Sequence, residues 1–488
     1  LMPSIIISRL KELLPGLAER LITLEATGEA DLEFVCHPGK ALSYLATELR
    51  EANGGRVVPQ VWQMVYNWLL AAPDYREQLA QVIAALTKGN QECPLTLNTS
   101  QKLYGARLKL SVSRVEQYKA CPFAYFLAYG LRLREREQYK LGAPDLGEFF
   151  HAALKLFGER INRQGLDWGQ ISDAECIAVM AQIVEELAPQ LQNEILLSTA
   201  RYHYLVEKLK RTLDASVLAL VEQARRGNFR PVGLEIGFGP GEALPPLVYN
   251  LKNGIEVELD GRIDRIDLAK STDGHNYLRV IDYKSGQAEL SLEDVYHGLK
   301  LQLLTYLDVA LTHAHILTGN EAEAGGMLYF RLRDPVISTD GPLSAEDSAK
   351  SILNEFKQKG FVLADANLVK LMDNRLVNGK RSEIIPVSLK TQGGFYADSG
   401  VLTADNFALL RKYVQQQLAG TGEEILAGRL EMAPYQKRGR NACQYCRYKP
   451  VCRFDTMRLD NKYRLIRLEP KDKLWSRFFA ANEGDIDG

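Results

Sequence analysis

At 488 residues the chain is long enough for two or three domains, and 46% hydrophobic with 25% charged residues is the composition of an ordinary soluble protein. A formal net charge of -1 excludes a globally basic nucleic-acid binder, so any such contact must come from local patches. No apolar run is long enough to span a bilayer, no secretory signal opens the chain, and seven cysteines without a regular framework fit a reduced, cytoplasmic setting with some cysteines used as ligands.

Residues 1 to about 100 read as mostly helical, with helical spacing of apolar residues over Arg9–Leu24, Lys40–Ala52 and Val58–Thr87. His37-Pro-Gly-Lys40 is not a phosphate loop, because Phe34 stands where a glycine is needed and Ala41 replaces Ser or Thr. A loop between strand and helix fits it better, and no Walker A motif, hence no recognisable ATPase site, occurs in the chain. Cys93 to Leu110 reads as a linker, with Asn98-Thr-Ser100 and Gly105 in it. Ser113 then offers an N-cap with Glu116 closing a capping box, and Cys121-Pro122 interrupts that helix before an aromatic run of Phe123, Tyr125 and Phe126. By itself Cys121 is a small buried residue, as most cysteines are. A helix over Leu146–Arg163 contains Gly147-Glu-Phe-Phe-His151. Helices at about Asp173–Gln192 and Thr199–Arg226 form an insertion, and strands resume at Pro231–Phe238 and Leu247–Leu251.

The most informative stretches are Gly261-Arg-Ile-Asp-Arg-Ile-Asp267 and Val280-Ile-Asp-Tyr-Lys-Ser-Gly286, two strands bounded by Asn253-Gly254, Asp273-Gly274 and Ser285-Gly286. Alternation puts Asp282 and Lys284 on one side with Tyr283 opposite, and Asp264 on the neighbouring strand supplies a second carboxylate. Carboxylates suit a hard divalent cation, and a lysine beside them offsets charge in phosphodiester cleavage. Asp-x-Lys alone is more often a solvated strand face. The helix Ser291–Thr312 then carries Gln302 and Tyr306 on one face. A strand at Gly325–Arg333 and helices at Ala345–Lys359, Asp365–Asp373 and Ala404–Ala427 follow, the last with a core stripe of Leu409, Leu410, Tyr413, Val414 and Leu418.

Near the end, Cys443, Cys446 and Cys452 give Cys-x2-Cys-x5-Cys, a ligand pattern for zinc or for a four-iron cluster. Spacing does not separate the two, and the fourth ligand is one of Cys36, Cys93, Cys121 and Cys176. Lys437, Arg438, Arg440, Arg447, Lys449 and Arg453, interleaved with Tyr435, Tyr445 and Tyr448, suit a single strand of nucleic acid, or else form a solvated basic surface. From Asp455 the chain reads as an appendage, with Leu474–Phe479 docking on a partner and Glu483–Gly488 frayed.

In order, the chain carries Gly147 to His151, Gly261 to Asp264, Asp282 to Lys284 and Gln302 to Tyr306. This series resembles the PD-(D/E)xK nuclease superfamily, in its RecB-like branch. Ser111-x-Ser-x-x-Glu-x-Tyr-x-x-Cys-Pro-Phe-x-Tyr-Phe126 further resembles the entry to AddB-type iron–sulfur nuclease domains. The resemblance covers Leu110–Phe454. It implies an α/β restriction-endonuclease-like core, a central mixed sheet flanked by helices, with helical insertions (about 172–226) and a mainly helical segment in front. Residues 1–109 would be the remnant of a helicase-like region plus linker, 110–454 the nuclease domain and 455–488 the appendage. It implies Mg2+ (Mn2+ as an alternative) on His151, Asp264, Asp282 and the Tyr283 carbonyl, with Lys284 orienting the attacking water and Gln302 and Tyr306 supporting the site. It implies a [4Fe–4S] cluster on Cys121, Cys443, Cys446 and Cys452 that staples the domain. The implied activity is a DNA exonuclease of double-strand-break repair and recombination. It would cut the 5′-ended strand of DNA unwound by an AddA-type helicase–nuclease partner, with no membrane involved. Family members are far longer, so a fragment or truncated form is expected. The rival readings are a stand-alone RecB-like nuclease of the CRISPR-associated kind and a non-catalytic DNA-binding scaffold protein.

Overall fold

Strand-forming residues from Glu256 to Lys270 make one 15-residue strand around which the rest of the sheet is built. The computed structural model describes residues 5–16, 18, 29–87, 92–105, 107–136, 141–191, 196, 199–251, 254–287, 289–339, 341–458 and 460–483. The expectations for Leu1–Ser4, the end of the Arg9–Leu24 helix, Gln192, Asn253 and the tail beyond Glu483 lie outside these residues. The chain divides into two compact units, residues 1–91 with 453–462, and residues 92–452 with 463–488.

The first unit is helical: α1 (Ile5–Leu13), α2 (Pro38–Asn53), α3 (Gln60–Ala71) and α4 (Pro73–Thr87). His37 opens α2 as its N-cap, its Nδ1 accepting from the Gly39 N–H, and a 3-10 turn rather than a strand precedes it. The run read as one helix over Val58–Thr87 is broken at Pro73, which lacks the N–H that a continuous helix would use. Leu45, Trp62, Leu69 and Leu79 form its core, and Trp62 Nε1 donates to Asp31 Oδ2 at 2.8 Å.

The second unit begins with α5 (Leu97–Tyr104), β1 (Leu108–Ser111), α6 (Val112–Ala120), α7 (Pro122–Tyr125) and α8 (Ala143–Arg163). Then come α9 (Asp173–Leu187), α10 (Ala200–Arg225), β2 (Arg230–Phe238), β3 (Leu247–Asn250), β4 (Glu256–Lys270) and β5 (Asn276–Lys284). Next are α11 (Leu292–Tyr296), α12 (Gln302–Thr312), α13 (Ala314–Thr318), β6 (Glu323–Arg331), α14 (Ala345–Glu355), β7 (Lys359–Leu363) and α15 (Ala366–Met372). The chain continues through β8 (Val401–Leu402), α16 (Ala404–Leu426), β9 (Tyr435–Lys437), β10 (Arg440–Asn441), α17 (Lys449–Cys452), β11 (Arg464–Leu465) and α18 (Lys471–Glu483).

The first half of β4 pairs with β1 in parallel and with β3 antiparallel, and its second half pairs antiparallel with β2 and β5. Beyond β5 the order is β6, β7, β8, joined parallel, antiparallel and parallel, so the sheet is mixed as expected. One face packs Ile266, Leu278, Val280 and Met327 against residues of α6, α12 and α16. The other packs Ile281, Tyr283, Leu328 and Phe330 against α8, α9 and α10. Consecutive β5 residues thus enter opposite cores, the two-residue period of a sheet covered on both sides. Among the described residues no helix is long and apolar enough to cross a membrane.

Several expectations are corrected. The supposed linker Cys93–Leu110 contains α5, capped by Thr96, and most of β1. The Ser113–Glu116 capping box does not form: α6 starts at Val112, Ser113 Oγ meets Ser111 Oγ at 3.0 Å, and Glu116 caps a different helix. The helix expected over Ser291–Thr312 breaks between Tyr296 and Gln302, because Gly298 takes a left-handed φ of +71°. Lys359 starts β7 rather than ending a helix.

Candidate active site

The strands β4 and β5 diverge where the chemistry gathers. Their last paired residues are Arg265 and Ile281. Past that pair the Tyr283 N–H donates to Asp264 Oδ2 at 2.7 Å, so a carboxylate takes the place of a strand carbonyl. Asp282 and Lys284 project on the face opposite the Tyr283 side chain, as alternation requires, and Lys284 Nζ lies 2.6 Å from Asp282 Oδ2.

His151 comes from the third turn of α8. Its Nδ1 is 3.4 Å from Asp264 Oδ1 and 2.9 Å from Glu235 Oε1. No motif in the sequence marks Glu235. It lies on β2 between Leu234 and Ile236, which pair with Arg265 and Ile263, so it stands beside Asp264. Its φ of +49° is left-handed, a conformation that costs a non-glycine residue roughly 1 kcal/mol or more and that collects at functional sites. Ligand atoms of His151, Glu235 and Asp264 all lie within 4.8 Å of one another.

Electrostatics make this cluster hungry for positive charge. Burial pushes the Asp282 carboxyl up to about 7, and the neighbouring Asp264 adds to the rise against the pull of Lys284. Asp282 is 0% exposed, and its Oδ1 has no hydrogen-bond partner among the described residues. For His151 burial works downward, but hydrogen bonds and charge from Asp264 and Glu235 raise it to about 10, so in the metal-free chain a proton sits among the carboxylates, one that a bound cation would displace before the ring acts as a ligand. Oxygen donors at contact distance, a buried carboxylate oxygen without a partner and one imidazole fit a hard divalent cation.

Lys284 is held from a second side. Its Nζ donates to Gln302 Oε1 at 2.9 Å, and Gln302 Nε2 donates to the Tyr306 hydroxyl at 2.9 Å. His151, Asp264, Asp282, Tyr283, Lys284, Gln302 and Tyr306 therefore all meet at one end of β4 and β5.

The cysteines form a separate group. Cys121 sits at the junction of α6 and α7, and burial pushes its thiol up to about 12, with the charges of Cys443 and Cys446 adding to the rise. Cys443 interacts in turn with Cys446 and Cys452. Cys121 is thus close enough to the distant triplet for their charges to interact, while Cys176 is buried on the core face of α9, and Cys36 and Cys93 are exposed. Hydrogen bonds also join the residues around Cys121 to segments on either side of the triplet: the Phe123 N–H donates to the Glu431 carbonyl at 3.3 Å, and the Arg464 guanidinium donates to the Lys119 carbonyl. Of the basic residues read as an open strand-binding surface, Lys437 is already engaged, paired with Glu293 at 3.1 Å and Asp294 at 2.6 Å. Tyr445, at 90% exposed, remains open.

Residues 109–453 match the PD-(D/E)XK nuclease superfamily. The chain belongs to that superfamily. Residues 27–85 match the fifth domain of the ATP-dependent helicase/deoxyribonuclease AddB, which bears out the AddB resemblance on the first unit as well. The chain is 49% identical over 98% of its length to an ATP-dependent helicase/deoxyribonuclease subunit of Desulforamulus reducens and 50% identical over 98% to that of Pelotomaculum thermopropionicum. It is 42% identical over 97% to the corresponding protein of Bacillus subtilis. It spans about 41% of the length of the first two and 40% of the third.

Proposed function

We propose that this chain is the nuclease part of an AddAB-type helicase–nuclease of double-strand-break repair and recombination. In this reading it is a Mg2+-dependent DNA exonuclease that works beside an AddA-type partner in the cytoplasm and cuts the 5′-ended strand. The observation that carries the nuclease reading is the meeting of His151, Glu235, Asp264 and Asp282 with Lys284 at one sheet end. The names of the relatives support the setting.

His151, Glu235, Asp264 and Asp282, with the Tyr283 carbonyl, would hold Mg2+, and the imidazole also admits Mn2+. A bound divalent cation supplies polarisation of the phosphate and lowers the pKa of its water toward neutrality. Lys284 keeps its ammonium beside the carboxylates, where it orients the attacking water and offsets negative charge on the phosphate. Gln302 fixes that ammonium in place, and Tyr306 fixes Gln302. Cys121, Cys443, Cys446 and Cys452 would hold a [4Fe–4S] cluster with a structural role. A thiol raised as far as Cys121 stays protonated until a metal charge displaces the proton.

Degradation of 5′- and 3′-labelled single-stranded DNA with Mg2+ tests the site. Lys284→Ala should lower the rate by about 10²–10³-fold with the fold intact, and an unchanged rate removes the assignment. Preferential loss of the 5′-ended strand of an unwound duplex is expected once an AddA-type partner is added. Anaerobic iron, sulfide and zinc analysis should give about four irons and four sulfides per chain, lost in Cys121→Ala; zinc instead removes the cluster assignment.

A further inference from the structure

The first amides of a helix have no acceptor within the helix, and α12 receives none from its own neighbouring side chains. Glu116 on α6 fills that gap from far away in sequence. Its Oε1 accepts from the Leu301 N–H at 2.7 Å and from the Gln302 N–H at 3.1 Å. One turn further along α6, the stem of Lys119 lies against Gly298, where an added Cβ would stand 2.6 Å from Lys119 Cγ. The same short helix therefore shapes the left-handed turn before α12 and fixes where α12 begins. Gln302 is the first residue of α12, and both ends of its side chain are in use, on Lys284 and on Tyr306. Burial pushes the Glu116 carboxyl up to about 7, while the Leu301 and Gln302 N–H groups and the charges of Lys284 and Lys300 pull it back.

Resting on the nuclease reading above, we propose that Glu116 is a positioning residue: it locks the start of α12 and so sets Gln302, and through Gln302 the Lys284 ammonium, in the geometry that the cleavage step needs. Small misplacements of a reacting group cost large factors in rate. Glu116 itself touches no metal ligand among the described residues and leaves binding of the metal to the carboxylate cluster.

The test uses the full chain with Mg2+ and single-stranded DNA. Glu116→Ala removes the acceptor, whereas Glu116→Gln keeps an oxygen in its place. Glu116→Ala should lower kcat at least about 10-fold with KM for DNA unchanged, and Glu116→Gln should restore most of the rate. In a Gln302→Ala background, Glu116→Ala should cost nothing further, because both changes break one chain of contacts. Hydrogen exchange of residues 298–306 should quicken in Glu116→Ala and not in Glu116→Gln, and Mn2+ affinity should hold in both. A wild-type kcat in Glu116→Ala, a loss that Glu116→Gln does not rescue, full additivity with Gln302→Ala or a fall in Mn2+ affinity overturns the proposal. If the wild-type chain shows no Mg2+-dependent cleavage that Asp282→Ala abolishes, the nuclease reading fails instead. The hydrogen-exchange contrast then still decides whether Glu116 fixes α12.

Discussion

Asp264 and Asp267 stand three residues apart on β4, on opposite faces of one sheet, and the protein treats them in opposite ways. Asp267 is 0% exposed and fully paired: Oδ1 takes the Arg265 Nε at 2.6 Å, and Oδ2 takes the Arg279 Nε at 2.9 Å and Nη2 at 2.8 Å. Trp168 lies 4.5 Å from the Arg265 guanidinium and Phe229 lies 4.6 Å from that of Arg279. Burial alone would raise the Asp267 carboxyl, yet the two guanidiniums hold it below the usual range. Asp264 instead faces Asp282 and Glu235, with the Tyr283 N–H and one histidine for relief. On the Asp267 face two guanidiniums, Arg265 and Arg279, satisfy and outnumber the one carboxylate. The Asp264 face is left in deficit, and that deficit is what a cation would fill.

The largest expected effect comes from breaking the fully paired side. Asp267→Ala leaves two buried arginines without their counter-ion, and removing one partner of such a network costs about 3–5 kcal/mol. A urea midpoint should fall accordingly, and a shift worth less than about 1 kcal/mol would show that the arginines find other partners. Because the Asp267 carboxyl is depressed, its contribution is present above the ordinary aspartate value near ~3.9 and is lost as pH falls through the lower folded value. Acid should therefore unfold the wild type in a way that the variant does not share.

How much of this contrast was legible in the sequence follows the same physics. Alternation along Val280–Lys284 put Asp282 and Lys284 on one side, while the resemblance carried by four short motifs implied that His151, Asp264, Gln302 and Tyr306 join them at one site of a mixed α/β core. Glu235 was hidden because one acid in a strand reads as a solvated face. Its left-handed φ sits in the regularly paired part of β2, past the register shift between Pro231 and Gly233, and the only hint was the glycines Gly233 and Gly237 on either side of it. The far partner of Glu116 was hidden for a different reason. A glutamate three residues after a serine fits a local cap, and nothing in sequence spacing reveals an acceptor used 185 residues away. The break at Gly298 was equally silent, since the Lys119 stem that packs where a Cβ would stand comes from a helix about 180 residues earlier. Local chemistry was readable; what depends on long-range packing was not.

A smaller effect sharpens the deficit side. Asp282 titrates above its unfolded value, so its ionisation opposes folding: stability is full below ~3.9 and is lost as pH rises through about 7. In EDTA, Asp282→Asn should match the wild type near pH 4 and exceed it in stability as the pH rises through about 7. With Mg2+ present the order should reverse, because only the wild type gains the full stabilisation of a bound ligand. Equal thermal midpoints at pH 8 in EDTA would mean that the two carboxylates do not oppose one another.

The smallest effect separates Glu235 from the rest of the cluster. His151 is raised to about 10 despite its burial, so its charged form favours folding. That contribution is fully present below the ordinary histidine value near ~6.5 and is lost as pH rises through about 10. Glu235→Gln leaves Asp264 as the one carboxylate on the ring, and the His151 pKa should fall toward its ordinary value. In the metal-free chain the variant should be less stable than the wild type by about 1 kcal/mol at pH 6, with the gap closing as the pH passes 10. Thermal unfolding at the two pH values reads the gap, and a Mn2+ titration of the same variant reads ligation. A stability gap together with weakened Mn2+ binding makes Glu235 a fourth ligand. A gap with unchanged binding makes it only the holder of His151, which would explain its left-handed backbone by the histidine alone.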